Sequence, residues 1–290
     1  MRIRSFAKIN LGLEVCGKRA DGYHNIRTLF QSIDLHDCLV FTALPGREIR
    51  LEGTDRRVSW DKSNLIYQAA ELIRAHSGCR KGVSVFVEKR IPPGGGLGGG
   101  SSNAAAALFA LNRMWGLDLR REKLMEMGHC LGADVPYFFS GGLCLGTERG
   151  DRIQELPDLE TMICLLVLEK LPVSTAAVYN RLPATLTSPG KDSKIIKFLK
   201  DRRTEGLHND LEDVVFELYP QVKDHKQRLR DAGAKPALVS GSGSTVFGIF
   251  LKRSAAEKAR EKLGRKSQIT QTLSRWEYRK RTVIKEKPGV

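Results

Sequence analysis

Apolar and polar or small positions alternate along Ile9-Asn10-Leu11-Gly12-Leu13-Glu14-Val15, the period-two pattern of a strand with one buried face. Thr28–Leu35 and Cys38–Ala43 read as further strands, with His36-Asp37 as a break between them. Asp21-Gly22 marks a turn. Ser63 is a candidate N-cap for a helix over Asn64–His76, because Leu65, Ala69, Leu72 and Ile73 fall on one face. Val83–Glu88 alternates again, helices are predicted over Ser101–Trp115 and Arg121–Leu131, and Leu143–Gly146 reads as a short strand.

The second half mixes its periods differently. Strands are predicted over Ile163–Leu168, Ala237–Ser240, Thr245–Leu251 and Ile269–Leu273. Helices are predicted over Thr175–Leu182, Ser193–Asp201, Asp210–Tyr219, Val222–Ala232 and Ala255–Leu263, with polar Ser188–Asp192 as a surface loop. Strands and helices without strict alternation point to an α+β architecture. The 290 residues fit about two domains. Pro157, in a polar connection, places the boundary near 150–160, giving domains 1–155 and 156–290.

Hydrophobic residues make up 41% and charged residues 28%, which excludes a disordered or collagen-like chain. The net charge of +15 is concentrated, since residues 252–290 hold 13 Lys/Arg against four Asp/Glu. Only Trp276 and Tyr278 are aromatic there, so no stacking platform for nucleic acid is evident. The stretch reads as a solvated helix face or a frayed tail. No two cysteines have C-x-x-C spacing, so no zinc or redox motif is signalled. The first residues lack a signal-peptide core, and the apolar run Met162–Leu168 is too short to span a bilayer. The expectation is a cytoplasmic protein without a membrane partner.

Candidate chemistry centres on Pro92-Pro93-Gly94-Gly95-Gly96-Leu97-Gly98-Gly99-Gly100-Ser101-Ser102-Asn103, between a predicted strand and a predicted helix. Glycine admits positive φ and lets backbone amides approach a ligand. A helix start offers unpaired N–H groups and partial positive charge, which together make a phosphate site. Ser101 and Ser102 add hydroxyls able to cap the helix, bind phosphate or approach Mg²⁺. A Walker A loop is excluded, because no Lys precedes Ser101. A dinucleotide fingerprint is matched formally by Gly94, Gly96 and Gly99, at little value in so glycine-rich a run. A flexible linker leaves the flanking prolines and Ser-Ser-Asn unexplained.

This run closely resembles the ATP-binding motif of the GHMP kinases. Ala7-Lys8-Ile9-Asn10-Leu11, Arg19-Ala20-Asp21-Gly22-Tyr23-His24, Gly132-Ala133-Asp134-Val135-Pro136, Asn209-Asp210-Leu211-Glu212 and Ser240-Gly241-Ser242-Gly243-Ser244 resemble, in order, the motifs of one branch of that family. That branch acts on a cytidine diphosphate-linked methylerythritol. The resemblance implies the two-domain GHMP kinase fold, with an N-terminal domain like domain 2 of ribosomal protein S5 and a ferredoxin-like C-terminal domain. It implies ATP and Mg²⁺ as donor and metal, with metal ligands left open. A monomer or weak homodimer is expected. Lys8 and Asp134 match the catalytic pair, Asp134 as base and Lys8 as its holder. Turn carboxylates are common, however, and Asp134 has Gly132 and Pro136 beside it. Asn10 shares a strand face with Lys8 and is a candidate for the acceptor hydroxyl.

Tyr23 and His24 match the cytosine site, with Tyr179 as the other wall against a competing core role, and Thr175 toward the substrate phosphates. Lys89, Asn64 and Leu65 match positions near ATP; an N-cap for Asn64 and a solvated Lys89 compete. Asn209–Glu212 is read as a cap for the following helix. Other GHMP kinases, of mevalonate, homoserine or sugar type, are the rival enzymes, and an RNA-binding protein on the same fold is the rival of another class.

Overall fold

The computed structural model describes residues 1–169, 171, 173–183, 190–264 and 266–284. Residues 188 and 189 of the expected surface loop and the end of the basic stretch lie outside these. The first half holds β1 (Arg2–Lys18), β2 (His24–Leu44), β3 (Ile49–Gly53), α1 (Leu65–Ser77), β4 (Gly82–Glu88), α2 (Gly99–Trp115), α3 (Arg121–Leu131), α4 (Tyr137–Ser140), β5 (Leu143–Thr147) and β6 (Arg152–Glu155). The second half holds β7 (Ile163–Val167), α5 (Thr175–Asn180), a 3₁₀ turn (Gly190–Asp192), α6 (Lys194–Asp201), α7 (Glu212–Leu218), α8 (Pro220–Asp231), β8 (Ala237–Val239), β9 (Val246–Phe250), α9 (Arg253–Leu263), β10 (Ser267–Gln271), α10 (Arg275–Thr282) and β11 (Val283–Ile284).

Two sheets carry the molecule. The first runs β11-β1-β2-β4-β3, with β5 branching from β2 and β6 from β5; the second runs β10-β7-β9-β8. Helices α1, α2 and α3 cover one face of the first sheet through Ile66, Ala69, Ile73, Ala107, Leu111 and Leu124. Its β1–β2 pair also packs on the second sheet. Ile9, Leu11, Leu29 and Ile33 meet Cys164, Leu166, Phe247 and Ile249 in one apolar core between the domains.

The expected break at His36-Asp37 is absent, because β2 is one strand through His24–Leu44. The local irregularity is a register shift between Phe6 and Ala7 on its partner strand. Asp37 is fully buried there, and its carboxylate accepts bonds from the Arg90 and Ile91 amides and the Lys89 ammonium, at 2.7, 2.8 and 2.6 Å. A charge so satisfied does not interrupt a strand.

The basic end is not a frayed tail over its described part. Helix α10 opens on a capping box of Ser274 and Glu277. Its Tyr278 is buried and donates to the Phe138 carbonyl at 2.7 Å. Arg275 donates to the carbonyls of Leu143 and Leu156, at 2.6 and 3.1 Å, and β11 pairs with β1. A division at residue 155 therefore separates α10 from the sheet on which it packs.

Two glycine-bearing loops, one from each domain, dock on each other. The Thr245 amide donates to the Gly95 carbonyl at 3.2 Å, and the Ser240 hydroxyl donates to the Gly96 carbonyl at 3.0 Å. Gly96 has φ +73°, and a Cβ there would lie 2.0 Å from the Ser240 carbonyl oxygen. Gly96→Ala should therefore force the loops apart and cost about 2–3 kcal/mol. Chemical denaturation checks this: a lower unfolding midpoint is expected, and an unchanged midpoint contradicts the docking.

Candidate active site

Helix α2 starts at Gly99, earlier than the expected Ser101, with Gly98 in the N-cap position at φ +68° and no side-chain capping bond. The helix's first amides are thus left without intrahelical partners and face the glycine turn. A Cβ on Gly98 would lie 2.8 Å from the Phe138 ring and 3.2 Å from Lys8 Cε, so only glycine lets the turn pass this close. Leu97 anchors the turn in the interdomain core, and its carbonyl accepts the Lys8 amide at 3.0 Å. Ser102 does not face the turn: its hydroxyl donates to the Phe6 carbonyl at 2.7 Å and receives that of Ser5 at 2.6 Å.

A cleft of about 830 Å³ opens between the domains beside this turn. Lys8, Asn10, Tyr23, His24, Gly96, Gly98, Asp134, Thr175 and Tyr179 all line it. The Lys8 side chain is 4% exposed, yet its ammonium sits 3.3 Å from Asp134 Oδ2 and donates to Asn10 Oδ1 at 2.7 Å. Strand alternation thus brings Lys8 and Asn10 together, and a loop more than a hundred residues further along the chain supplies the carboxylate. Asn10 is oriented in turn by its amide bond to the Thr28 hydroxyl, at 2.8 Å. Asp134 is one-third exposed, open to the cleft.

The other end of the cleft is aromatic. The rings of His24 and Tyr179 lie 5.4 Å apart, with planes at 35°. Burial, with Lys18 adding, holds the His24 imidazole below its usual range, so it is neutral near pH 7 and keeps one donor and one acceptor. Burial and the Asp134 charge push the Tyr179 phenol up. Tyr23 is 59% exposed at the lip, with the Arg149 guanidinium 5.1 Å from its ring centre. Thr175 Oγ1 is 2.8 Å from Ser242 Oγ, tying α5 to the second glycine loop.

On the far side of the turn lies a recess of about 290 Å³, lined by Asn64, Leu65, Lys89, Pro93, Gly94, Gly100 and Asn103 among others. Asn64 also caps α1, accepting from the Ile66 amide at 3.0 Å. Lys89 is not solvated, since its ammonium is bound to Asp37 and to the Ile91 carbonyl. The Asn103 Oδ1 atom is buried and has no hydrogen-bond partner among the described residues. Most of the residues assigned to the two ligands thus fall on two hollows on either side of the glycine turn, Leu97 and Ser102 being turned away from both.

Asn209–Glu212 caps the helix start and does more besides. Asn209 Oδ1 accepts from the Leu211 amide at 3.0 Å, just ahead of α7. The same side chain donates to the carbonyls of Val239 and Gly241, at 2.9 and 2.7 Å. Asp210 accepts from the Val15 amide and Glu212 from the Val239 amide, both at 2.8 Å. The run therefore fixes the second glycine loop against β1. Arg149 and Asp37 were missed. The first sits in a turn and the second inside a strand, and neither position has a periodic signal.

The GHMP kinases N-terminal domain family matches residues 64–142, and the GHMP kinases C-terminal family matches residues 197–268. The 4-diphosphocytidyl-2-C-methyl-D-erythritol kinase of Alkaliphilus metalliredigens is 37% identical over 283 residues, covering 95% of this chain and 97% of the relative. That of Syntrophotalea carbinolica is 41% identical over 263 residues, covering 90% and 93%. A crystal structure of 4-(cytidine 5'-diphospho)-2C-methyl-D-erythritol kinase superposes with a TM-score of 0.80 at 34% identity, covering 94% of this chain and 99% of that one. The homoserine kinase of Cytophaga hutchinsonii shares the fold at a TM-score of 0.70 and 19% identity, covering 94% and 95%. With both domain families matched in order, and relatives of one kind aligned nearly end to end, the chain belongs to the 4-diphosphocytidyl-2-C-methyl-D-erythritol kinase family of the GHMP kinases.

Proposed function

We propose that this enzyme transfers the γ-phosphoryl group of ATP to the 2-hydroxyl of 4-diphosphocytidyl-2-C-methyl-D-erythritol, a step of non-mevalonate isoprenoid precursor synthesis. The observation that carries the reading is one cleft joining the glycine turn, the Lys8–Asp134 pair and the Tyr23, His24 and Tyr179 rings. A pyrimidine needs flat walls and hydrogen-bonding edges, which the aromatic end offers. Mevalonate or homoserine would leave that end unused. The RNA-binding reading loses its basis, because Arg275 and Arg279 pair with Glu155 and Arg281 pairs with Asp34.

Phosphoryl transfer rests on positioning and on stabilising charge at the transferred oxygens. The glycine-turn amides and the α2 start hold the triphosphate. Asn64, Leu65, Lys89, Pro93 and Asn103 line the recess assigned to the rest of ATP. Asp134 takes the proton of the acceptor hydroxyl. Lys8, 3.3 Å from that carboxylate, holds it in place and offsets charge as the new bond forms. Asn10, already bonded to Lys8, orients the hydroxyl beside it. Thr175 faces the substrate diphosphate.

Among the described residues no group of three His, Cys, Asp or Glu side chains is placed to hold a metal. Mg²⁺ would be carried in on the triphosphate, held mainly by phosphate oxygens and water, with the cleft-facing Asp134 as a nearby anionic group. Bound there, Mg²⁺ offsets charge on the phosphate oxygens.

A coupled ADP-release assay tests the reading. Turnover is expected with the cytidine diphosphate-linked acceptor and not with mevalonate or homoserine; the reverse preference overturns it. In the same assay Asp134→Asn should lower kcat about 10²–10⁴-fold while ATP still binds. Near-normal turnover would refute the role of Asp134.

A further inference from the structure

The outer face of the first sheet carries a concentration of positive charge that shares no lining residue with the cleft or the nucleotide recess. Alternation puts Arg2 and Arg4 on one face of β1, where Arg4 stands opposite Cys38 and Phe6 opposite His36 on β2. Cys38 stands opposite Glu88 on β4, and Arg90 follows two residues on. Arg2, Arg4, His36, Cys38, Arg90 and Ile284 enclose a recess of about 240 Å³.

The charges there are unevenly matched. Arg90 donates to Glu88 Oε1 at 3.0 Å, and Arg2 stands 3.9 Å from Glu88 Oε2. Arg2 also donates to the Cys38 sulfur at 3.0 Å. Among the described residues Arg4 finds only a neutral acceptor, the Arg281 carbonyl, at 3.3 Å. The nearby Asp34 carboxylate is held by Arg281 at 3.0 Å. Arg2 and Arg90 thus share the Glu88 carboxylate, and Arg4 pairs with no carboxylate among the described residues. Burial, reinforced by the Arg4 and Arg90 charges against a bond to the Asp34 carbonyl, holds the His36 imidazole below its usual range. Like charges converge on a pocket only at an electrostatic cost, and planar guanidinium forks match phosphate oxygens in pairs.

We propose that this recess binds a phosphate dianion, with Arg4 and Arg90 as its principal donors and Glu88 as the internal carboxylate that competes with it. A bound phosphate would lie beside the clamp that seats the nucleotide turn, because the Arg90 amide itself donates to Asp37. The site is independent of the acceptor assigned above.

The test is a calorimetric titration at fixed ionic strength, with the nucleotide site filled by magnesium and a non-hydrolysable ATP analogue. Inorganic phosphate is the probe in one arm and glycerol phosphate in the other. Binding of the first alone identifies free phosphate, and binding of both identifies phosphomonoesters as well. Arg4→Ser should weaken binding about tenfold through loss of one charged hydrogen-bond partner. Glu88→Gln, which keeps the shape and removes the competing charge, should tighten it. Equal affinities in the wild type and both variants, or heats reproduced by chloride, would overturn the site.

Discussion

A buried ammonium is the constraint around which the rest is arranged. Lys8 is nearly withdrawn from solvent, in a cleft between two domains, and an unpaired charge there would be strongly destabilising. Each of its partners comes from a different part of the chain. Asn10 lies on the same strand, Asp134 on the loop after α3, and Leu97, in the glycine turn, receives the Lys8 amide. Fixing Lys8 therefore fixes its strand, the carboxylate beside it and, through its backbone amide, the glycine turn. The Phe30 ring, 5.3 Å from the ammonium, adds a partner that needs no hydrogen bond.

The two domains act as one support for this arrangement. Leu97 and Ile91 reach from the glycine turn into the core that joins the two sheets, so the turn is seated in packed side chains. The second glycine loop presses on it from the other domain, held by Asn209 and Glu212. Behind it, Tyr278 of the last helix bonds the Phe138 carbonyl, and the Phe138 ring packs against Gly98. The turn is thereby backed on three sides, the preorganisation that the proposed phosphoryl transfer requires.

Much of this was legible in the chain. The alternation over Ile9–Val15 marked the core of β1, and Lys8 and Asn10 fall on one face as that period demands. The glycine run marked a helix start, displaced by two residues because glycine replaced the expected serine cap. What stayed hidden depends on partners distant in sequence. Helix α10 looks like a charge run because its arginines outnumber Tyr278, its one buried residue. Asp37 looks like a turn residue until Lys89 and two amides are placed around it. The pairing of Lys8 with Asp134 has no local signature and came only from the resemblance. Arg149 sits in a turn, where no period reports which ring it covers.

The most direct measurement is a crystal structure with a non-hydrolysable ATP analogue and 4-diphosphocytidyl-2-C-methyl-D-erythritol bound together. The triphosphate is expected against the amides of Gly94–Gly100, the acceptor hydroxyl between Lys8 and Asp134, and the cytosine among Tyr23, His24 and Tyr179. A triphosphate seated elsewhere, with the acceptor hydroxyl out of reach of both Lys8 and Asp134, would contradict the account.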